Sequence, residues 1–145
     1  MKLKDKIAIV TGGGSGIGKA IALMFAQEGA KIVLSGRRVE KINEVAEQIK
    51  SSGGDALPVQ GDMGCSDDVK KMVKSAIDTY GHIDILVNNV AVIHQAKVVD
   101  TTEEDWDRVI RNNLKSCFLC SKEVAKHLIE RNRGGKIVNI SSIHA

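Results

Sequence analysis

Five short apolar runs, separated by stretches with helical periodicity, constrain the fold of this chain more than any other feature. Lys6 to Thr11 carries Ile7, Ala8, Ile9 and Val10 without a break, as a strand covered on both faces would. Lys31 to Ser35, Ala56 to Gln60, Ile83 to Val87 and Lys136 to Ile140 repeat the pattern. Ala20 to Gln27 is apolar nearly all round, a helix that has to be covered, and Gly29 is placed to end it. Val39, Ile42, Val45 and Ile49 make the stripe of a second helix that stops at Gly53 and Gly54. Ser66 is expected to cap a third, with Val69, Met72, Val73, Ala76 and Ile77 facing inward and Gly81 closing it. Thr101 and Glu104 read as a capping box ahead of Trp106, Val109 and Ile110, and a further helix spans about Leu114 to Arg131. Strands alternating with helices predict one α/β domain over residues 1–145, with a doubly wound parallel sheet. In such sheets a ligand lies beyond the carboxyl ends of the strands, where strand order reverses. The residues just after each strand are therefore the ones to inspect.

Composition narrows the function classes. A chain of 145 residues buries roughly two-thirds of its surface, and with only 3% aromatic residues its core must be aliphatic. The net charge is +3 with both signs mixed along the chain, which makes no case for nucleic acid or an anionic membrane as partner. No apolar run is long enough to cross a bilayer, and Met1 to Lys6 leads into no signal-peptide stretch. The expectation is a cytoplasmic protein. Cys65, Cys117 and Cys120 are an odd set that argues against a disulfide framework. Cys117 and Cys120 form a CxxC around Phe118 and Leu119, with no second pair to complete a metal site. They read as small core residues rather than redox or zinc ligands, and no metal is expected.

After the first strand comes Thr11-Gly12-Gly13-Gly14-Ser15-Gly16-Ile17-Gly18. Glycines here allow a tight turn, admit a pyrophosphate to the backbone N–H groups and let the following helix press on the strand. The helix N-terminus adds partial positive charge. A loop that merely needs positive φ angles would look similar, but its place between a buried strand and a buried helix favours nucleotide binding. Gly13 to Lys19 also fits GxxxxGK, yet Ala20 stands where a phosphate-binding loop of that type needs a hydroxyl for Mg²⁺. GxGxxG is not met either; Gly12, Gly16 and Gly18 make TGxxxGxG.

That pattern resembles the cofactor loop of the short-chain dehydrogenase/reductase family. Other landmarks of the family recur in order: Asp62 after strand three, Asn88-Asn89 after strand four, Asn113 in the following helical region, and Ile140-Ser141-Ser142 after strand five. The resemblance spans all 145 residues. It implies a Rossmann-like sheet in the order 3-2-1-4-5, incomplete at its C-terminal side. It also implies a dinucleotide held by Gly12, Ser15, Gly16, Ile17 and Gly18, flanked at the adenine by Asp62 and Met63, with Asn89 beside it. Plainer readings stand alongside, with Asp62 as a turn former and Asn88 and Asn89 as ties between strands.

The end of strand two bears on which dinucleotide. A carboxylate there would bind the ribose 2′-hydroxyl of NAD and repel a 2′-phosphate. Gly36 stands at that place, followed by Arg37 and Arg38. Arg37 offers a fixed charge with a planar fork suited to phosphate, which favours NADP(H) over NAD(H), although such an arginine also serves as plain solvated charge.

By resemblance, Ser142 and Asn113 match the serine that orients a carbonyl and the asparagine that supports a water chain in hydride transfer to or from small carbonyl and alcohol substrates. The family also uses a YxxxK pair. The only tyrosine here is Tyr80, which has Asp84 where the lysine would be, so the chain by itself is expected to be inactive. The family's NNAG appears as Asn88-Asn89-Val90-Ala91, and Ser142-Ile143-His144 resembles sugar- or polyol-acting members. Strand five is expected to form an exposed sheet edge, and with the helix from Leu114 to make the chain self-associating. The competing readings are a module that binds dinucleotide without turnover and a protein-interaction domain.

Overall fold

The computed structural model of the chain describes residues 1–142, so Ile143 and His144 lie outside the described residues. Strands β1 (Ile7–Thr11), β2 (Lys31–Gly36), β3 (Asp55–Gln60), β4 (Ile85–Asn88) and β5 (Lys136–Asn139) form one sheet in the order β3-β2-β1-β4-β5. Every neighbouring pair is parallel, with Ile9 opposite both Val33 and Leu86. Helices α1 (Gly16–Gln27), α2 (Val39–Ser51), α3 (Ser66–Tyr80), α4 (Glu103–Ile110) and α5 (Ser116–Glu130) connect the strands.

Alternation along the strands sorts the core into two layers. Ala8, Val10, Ile32 and Leu34 pack against Ala22 of α1 and Ile42, Val45 and Ile49 of α2. Ile9, Val33 and Leu86 face the other way, onto Met72 and Val73 of α3 and Cys120 and Val124 of α5. Cys120 is fully buried in this second layer, and burial, followed by the neighbouring Cys117, pushes its thiol up to about 12. It is a packing residue.

Four local expectations need correction. Helix α1, apolar nearly all round in sequence, buries Gly18 and Ala22 but leaves Met24 64% exposed, so only one of its faces is covered. The cap of α3 is Cys65, whose side chain makes no capping bond; Ser66 is the first helical residue, and Asp68 Oδ2 instead accepts the Asp62 N–H at 2.8 Å. The cap of α4 is Thr102, whose hydroxyl accepts the Asp105 N–H at 3.1 Å and donates to the Asp105 carboxylate at 2.9 Å. Thr101 is spent one turn earlier, donating to the Lys97 carbonyl across the 3₁₀ turn Val98–Asp100. Adjacent threonines with acids three residues on make two overlapping capping boxes, and that turn selects between them. Finally, α4 and α5 are one helical run joined by the π turn Arg111–Lys115.

At the amino ends of the strands a polar clasp ties β1, β4 and α5. Asp84 accepts the Ile7 N–H at 3.0 Å, with His82 Nε2 3.1 Å from its carboxylate. Arg131 donates to the Ile83 carbonyl at 2.6 Å, and its guanidinium lies 3.4 Å from Asp84. The opposite end of the sheet is open.

Candidate functional site

Strand order reverses between β1 and β4, and there the loops after all five strands enclose a cavity of about 830 Å³, within the range of small-molecule sites. Gly12, Ser15, Gly16 and Ile17 form its floor on the β1 side. Gly12 and Gly16 have φ of 65° and 53°, a left-handed conformation that side chains disfavour. Ser15 has extended φ and ψ and caps α1 without a side-chain capping bond, and the first turn of α1 carries no acidic residue. The N–H groups of that turn thus keep their partial positive charge for an anion.

Gly18 does not line the cavity. A Cβ there would collide with the Gly12 carbonyl oxygen and lie 2.5 Å from Asn89 Nδ2. Its role is to let α1 close on the loops after β1 and β4. Asn89 fixes the same crossing: its N–H donates to Thr11 Oγ1 at 2.9 Å, and its side-chain amide donates to the Thr11 carbonyl at 3.2 Å. Asn88 joins β4 to Asn139 at 2.9 Å and to Ser121 at 3.0 Å. Both asparagines tie neighbouring elements, and Asn89 also lines the cavity.

The β2 side is cationic. Gly36, Arg37, Arg38 and Lys41 border the cavity. Among the described residues the Arg37 guanidinium is unpaired, while its carbonyl accepts from Gln60 at 3.1 Å. Arg38 donates to Ser15 Oγ at 3.1 Å, so the second arginine bridges to the glycine loop. Lys41 is engaged with Glu44 at 2.9 Å. The two arginines are adjacent in sequence, which left open whether Arg38 has any part; only the fold of the loop against Ser15 brings it in.

After β3, Asp62 lines the cavity with Oδ1 accepting the Gly64 N–H at 2.8 Å and Oδ2 paired with Arg111 at 2.8 Å. It is a turn former and a cavity wall together. Met63 also lines the cavity, but it is only 2% exposed and its sulfur accepts the Ser35 hydroxyl at 3.3 Å, so it supplies packing. Asn113 clasps the loop after β4 through Val92, and both Asn113 and Ser142 line the cavity. Tyr80 is remote; its hydroxyl donates to Asp55 at 2.9 Å. Desolvation by burial, followed by that bond, raises its pKa, the wrong direction for a base at neutral pH.

Comparison with known proteins assigns this arrangement. A family model described as short chain dehydrogenase matches residues 6–145. The chain belongs to that family. Among curated relatives, an uncharacterized oxidoreductase of Thermotoga maritima is 41% identical over 98% of this chain and 55% of its own length. A (2S)-[(R)-hydroxy(phenyl)methyl]succinyl-CoA dehydrogenase subunit of Thauera aromatica is 39% identical over 98% of this chain and 57% of its own length. A crystal structure of a short-chain type dehydrogenase/reductase from Mycobacterium marinum superposes with a TM-score of 0.95 at 31% identity, over 98% of this chain and 57% of that one. The chain thus spans little more than half the length of these relatives.

Proposed function

We propose that the chain is the dinucleotide-binding unit of an NADP(H)-dependent oxidoreductase acting on a small carbonyl or alcohol substrate. The observation that carries the cofactor choice is Arg37 beside Gly36, its guanidinium without a partner among the described residues, with Arg38 held on the glycine loop through Ser15. No carboxylate stands at the end of β2 to repel a 2′-phosphate. The open turn of Gly12 to Ile17 suits a pyrophosphate, because it lines the cavity at the N-terminus of α1, whose first turn carries no acidic residue.

When bound, the nicotinamide supplies or accepts a hydride. The chain's own residues bind and orient. Asn89 and Asn113 each hydrogen-bond a loop that lines the cavity, and Ser142, which lines it too, is read as the group that orients a carbonyl. No YxxxK pair is present to move a proton, so the reading is of binding without turnover by this chain alone. A soluble cytoplasmic location is part of the same reading, supported by the fact that no helix among the described residues is long and apolar enough to cross a membrane.

The test is a fluorescence titration with NADPH and NADH in parallel. Saturable binding with NADPH at least about tenfold tighter, ~1.4 kcal/mol, is expected. A folded chain that binds neither would overturn the reading, and NADH binding as tightly would overturn the preference.

We also infer self-association through the face of α5 and β5. Leu114 and Phe118 are 63% and 58% exposed, and Val138 on the edge strand is 42% exposed. Exposed apolar side chains at the π turn, on α5 and on the edge strand favour a cover.

A further inference from the structure

Asp62 is the one carboxylate on the cavity wall among the described residues, and it sits on the cationic side. The loops that carry it and Arg37 are bonded together: the Gly61 N–H donates to the Gly36 carbonyl at 3.1 Å, and Gln60 donates to the Arg37 carbonyl at 3.1 Å. An unneutralised carboxylate there would oppose any dianion that Arg37 and Arg38 attract. Arg111 removes that opposition. Its guanidinium pairs with Asp62 Oδ2 at 2.8 Å from the first residue of the π turn, 49 positions away in the chain. Its side chain lies across Gly64, where a Cβ would come within 2.8 Å of the Arg111 Cγ. The same π turn carries Asn113, which clasps Val92 in the loop after β4.

We propose that Arg111 is a positioning residue for the phosphorylated nucleotide, resting on the NADP(H) reading above. It fixes the Asp62 carboxylate between Gly64 and its own guanidinium and cancels the charge that would repel a 2′-phosphate. Asp62 keeps lone pairs to accept an N–H from a base, because the two bonds in place leave acceptor capacity on a carboxylate.

Adenosine 2′,5′-bisphosphate is the probe, titrated by calorimetry into the chain and its variants, with adenosine 5′-monophosphate run beside it. Arg111→Ala is expected to weaken the bisphosphate roughly fivefold, the scale of a partly exposed charge pair, and the monophosphate less. Arg111→Lys retains most of the affinity. The discriminating variant is Asp62→Asn with Arg111→Ala, which removes the stranded charge and is expected to regain bisphosphate affinity. A merely structural strut gives no such rescue, so a double variant that binds as weakly as Arg111→Ala, or weaker, overturns the proposal. Unchanged affinity in Arg111→Ala overturns it alone, leaving the cofactor reading intact, whereas failure of the unsubstituted chain to bind the bisphosphate removes both. If Arg111→Ala fails to fold by circular dichroism, the Arg111→Lys and Arg111→Gln pair decides: equal bisphosphate affinities overturn the proposal, and a weaker glutamine variant supports it.

Discussion

Asn113 and Val92 are joined through both backbone polar groups of one residue: Asn113 Oδ1 accepts the Val92 N–H at 2.8 Å, and Asn113 Nδ2 donates to the Val92 carbonyl at 2.9 Å. The carboxamide has the donor and the acceptor this requires, in the spacing of a backbone strand partner. It pins the loop after β4, which otherwise runs without regular structure to the 3₁₀ turn at Val98. Asn113→Leu keeps the side-chain volume and loses both bonds. The Val92 amide should then exchange with solvent markedly faster, and NADPH should bind more weakly. An Asn113→Leu chain with native Val92 protection would show that other contacts hold the loop.

Arg37 and Arg38 are engaged differently at the end of β2. Among the described residues the Arg37 guanidinium has no partner, and it is exposed, whereas Arg38 is already committed to Ser15. A charge-assisted hydrogen bond contributes about 1.5–3 kcal/mol, so Arg37→Ala should weaken NADPH roughly tenfold or more and leave NADH little changed. Arg38→Ala should have the smaller effect on that ratio. Parallel titrations of both nucleotides report it.

Gly18 and Gly16 should respond unlike one another to alanine. At Gly18 the added methyl meets the Gly12 carbonyl and Asn89, both held in place, and overpacking of this sort costs about 1–3 kcal/mol. Gly18→Ala should lower the thermal midpoint and abolish nucleotide binding together. At Gly16 nothing lies within 4 Å of a Cβ, and only the φ of 53° resists. Gly16→Ala should therefore fold with about 1–2 kcal/mol less stability.

The clasp at the opposite end of the sheet sets a pH dependence. His127 Nε2 accepts the Ile83 N–H at 3.2 Å, which needs an unprotonated ring nitrogen. Burial, followed by the Arg131 charge, holds its pKa below the ordinary 6.5. A group with a lower pKa folded than unfolded gains protons on unfolding, so stability rises with pH. His127 contributes fully above 6.5, and that contribution is lost as pH falls through the folded value. Asp84 adds a later loss. Burial pushes its carboxyl up, but the Ile7 N–H, His82, Lys6 and Arg131 together outweigh burial and leave it below 3.8. Its share is therefore present above 3.8 and lost as pH falls further. Melting curves between about pH 7 and about pH 5 should fall for the natural chain, and His127→Gln, which can still accept the Ile83 N–H, should flatten that fall. An unchanged slope would remove His127 as its source.

Phe118 stands 58% exposed on α5, with Lys122 of the same helix 5.7 Å from its ring. Phe118→Lys should weaken self-association, by about 1–2 kcal/mol if Phe118 is central to the contact, in sedimentation across a concentration series. Identical association of the two chains would place the contact elsewhere.

Much of the frame was legible because it rests on local pattern. Unbroken apolar runs such as Ile7 to Val10 can only be covered on both faces, and the alternation with helices leaves parallel crossover as the connection. The glycine loop was legible for the same reason, since its position between strand and helix limits what it can be. The start of α4 was read one residue early because Thr101 and Thr102 offer equivalent caps in sequence. The 3₁₀ turn before them took Thr101 for itself.

By itself, the sequence determined the five-strand frame and which loops follow the strands, and Gly12, Arg37, Asp62, Asn89 and Ser142 on those loops line one cavity; it did not determine burial residue by residue, since Met24 of the apolar first helix is 64% exposed. Tertiary structure alone decided how their charges and hydrogen bonds are spent. Arg38 turned to Ser15, Arg111 reached Asp62 across 49 positions, and Gly18 packed against Gly12 instead of facing the cavity. The physical reason is range. Burial pattern is written in neighbours two to four residues apart, whereas an ion pair or a close backbone contact depends on two loops meeting in space, which no local spacing records.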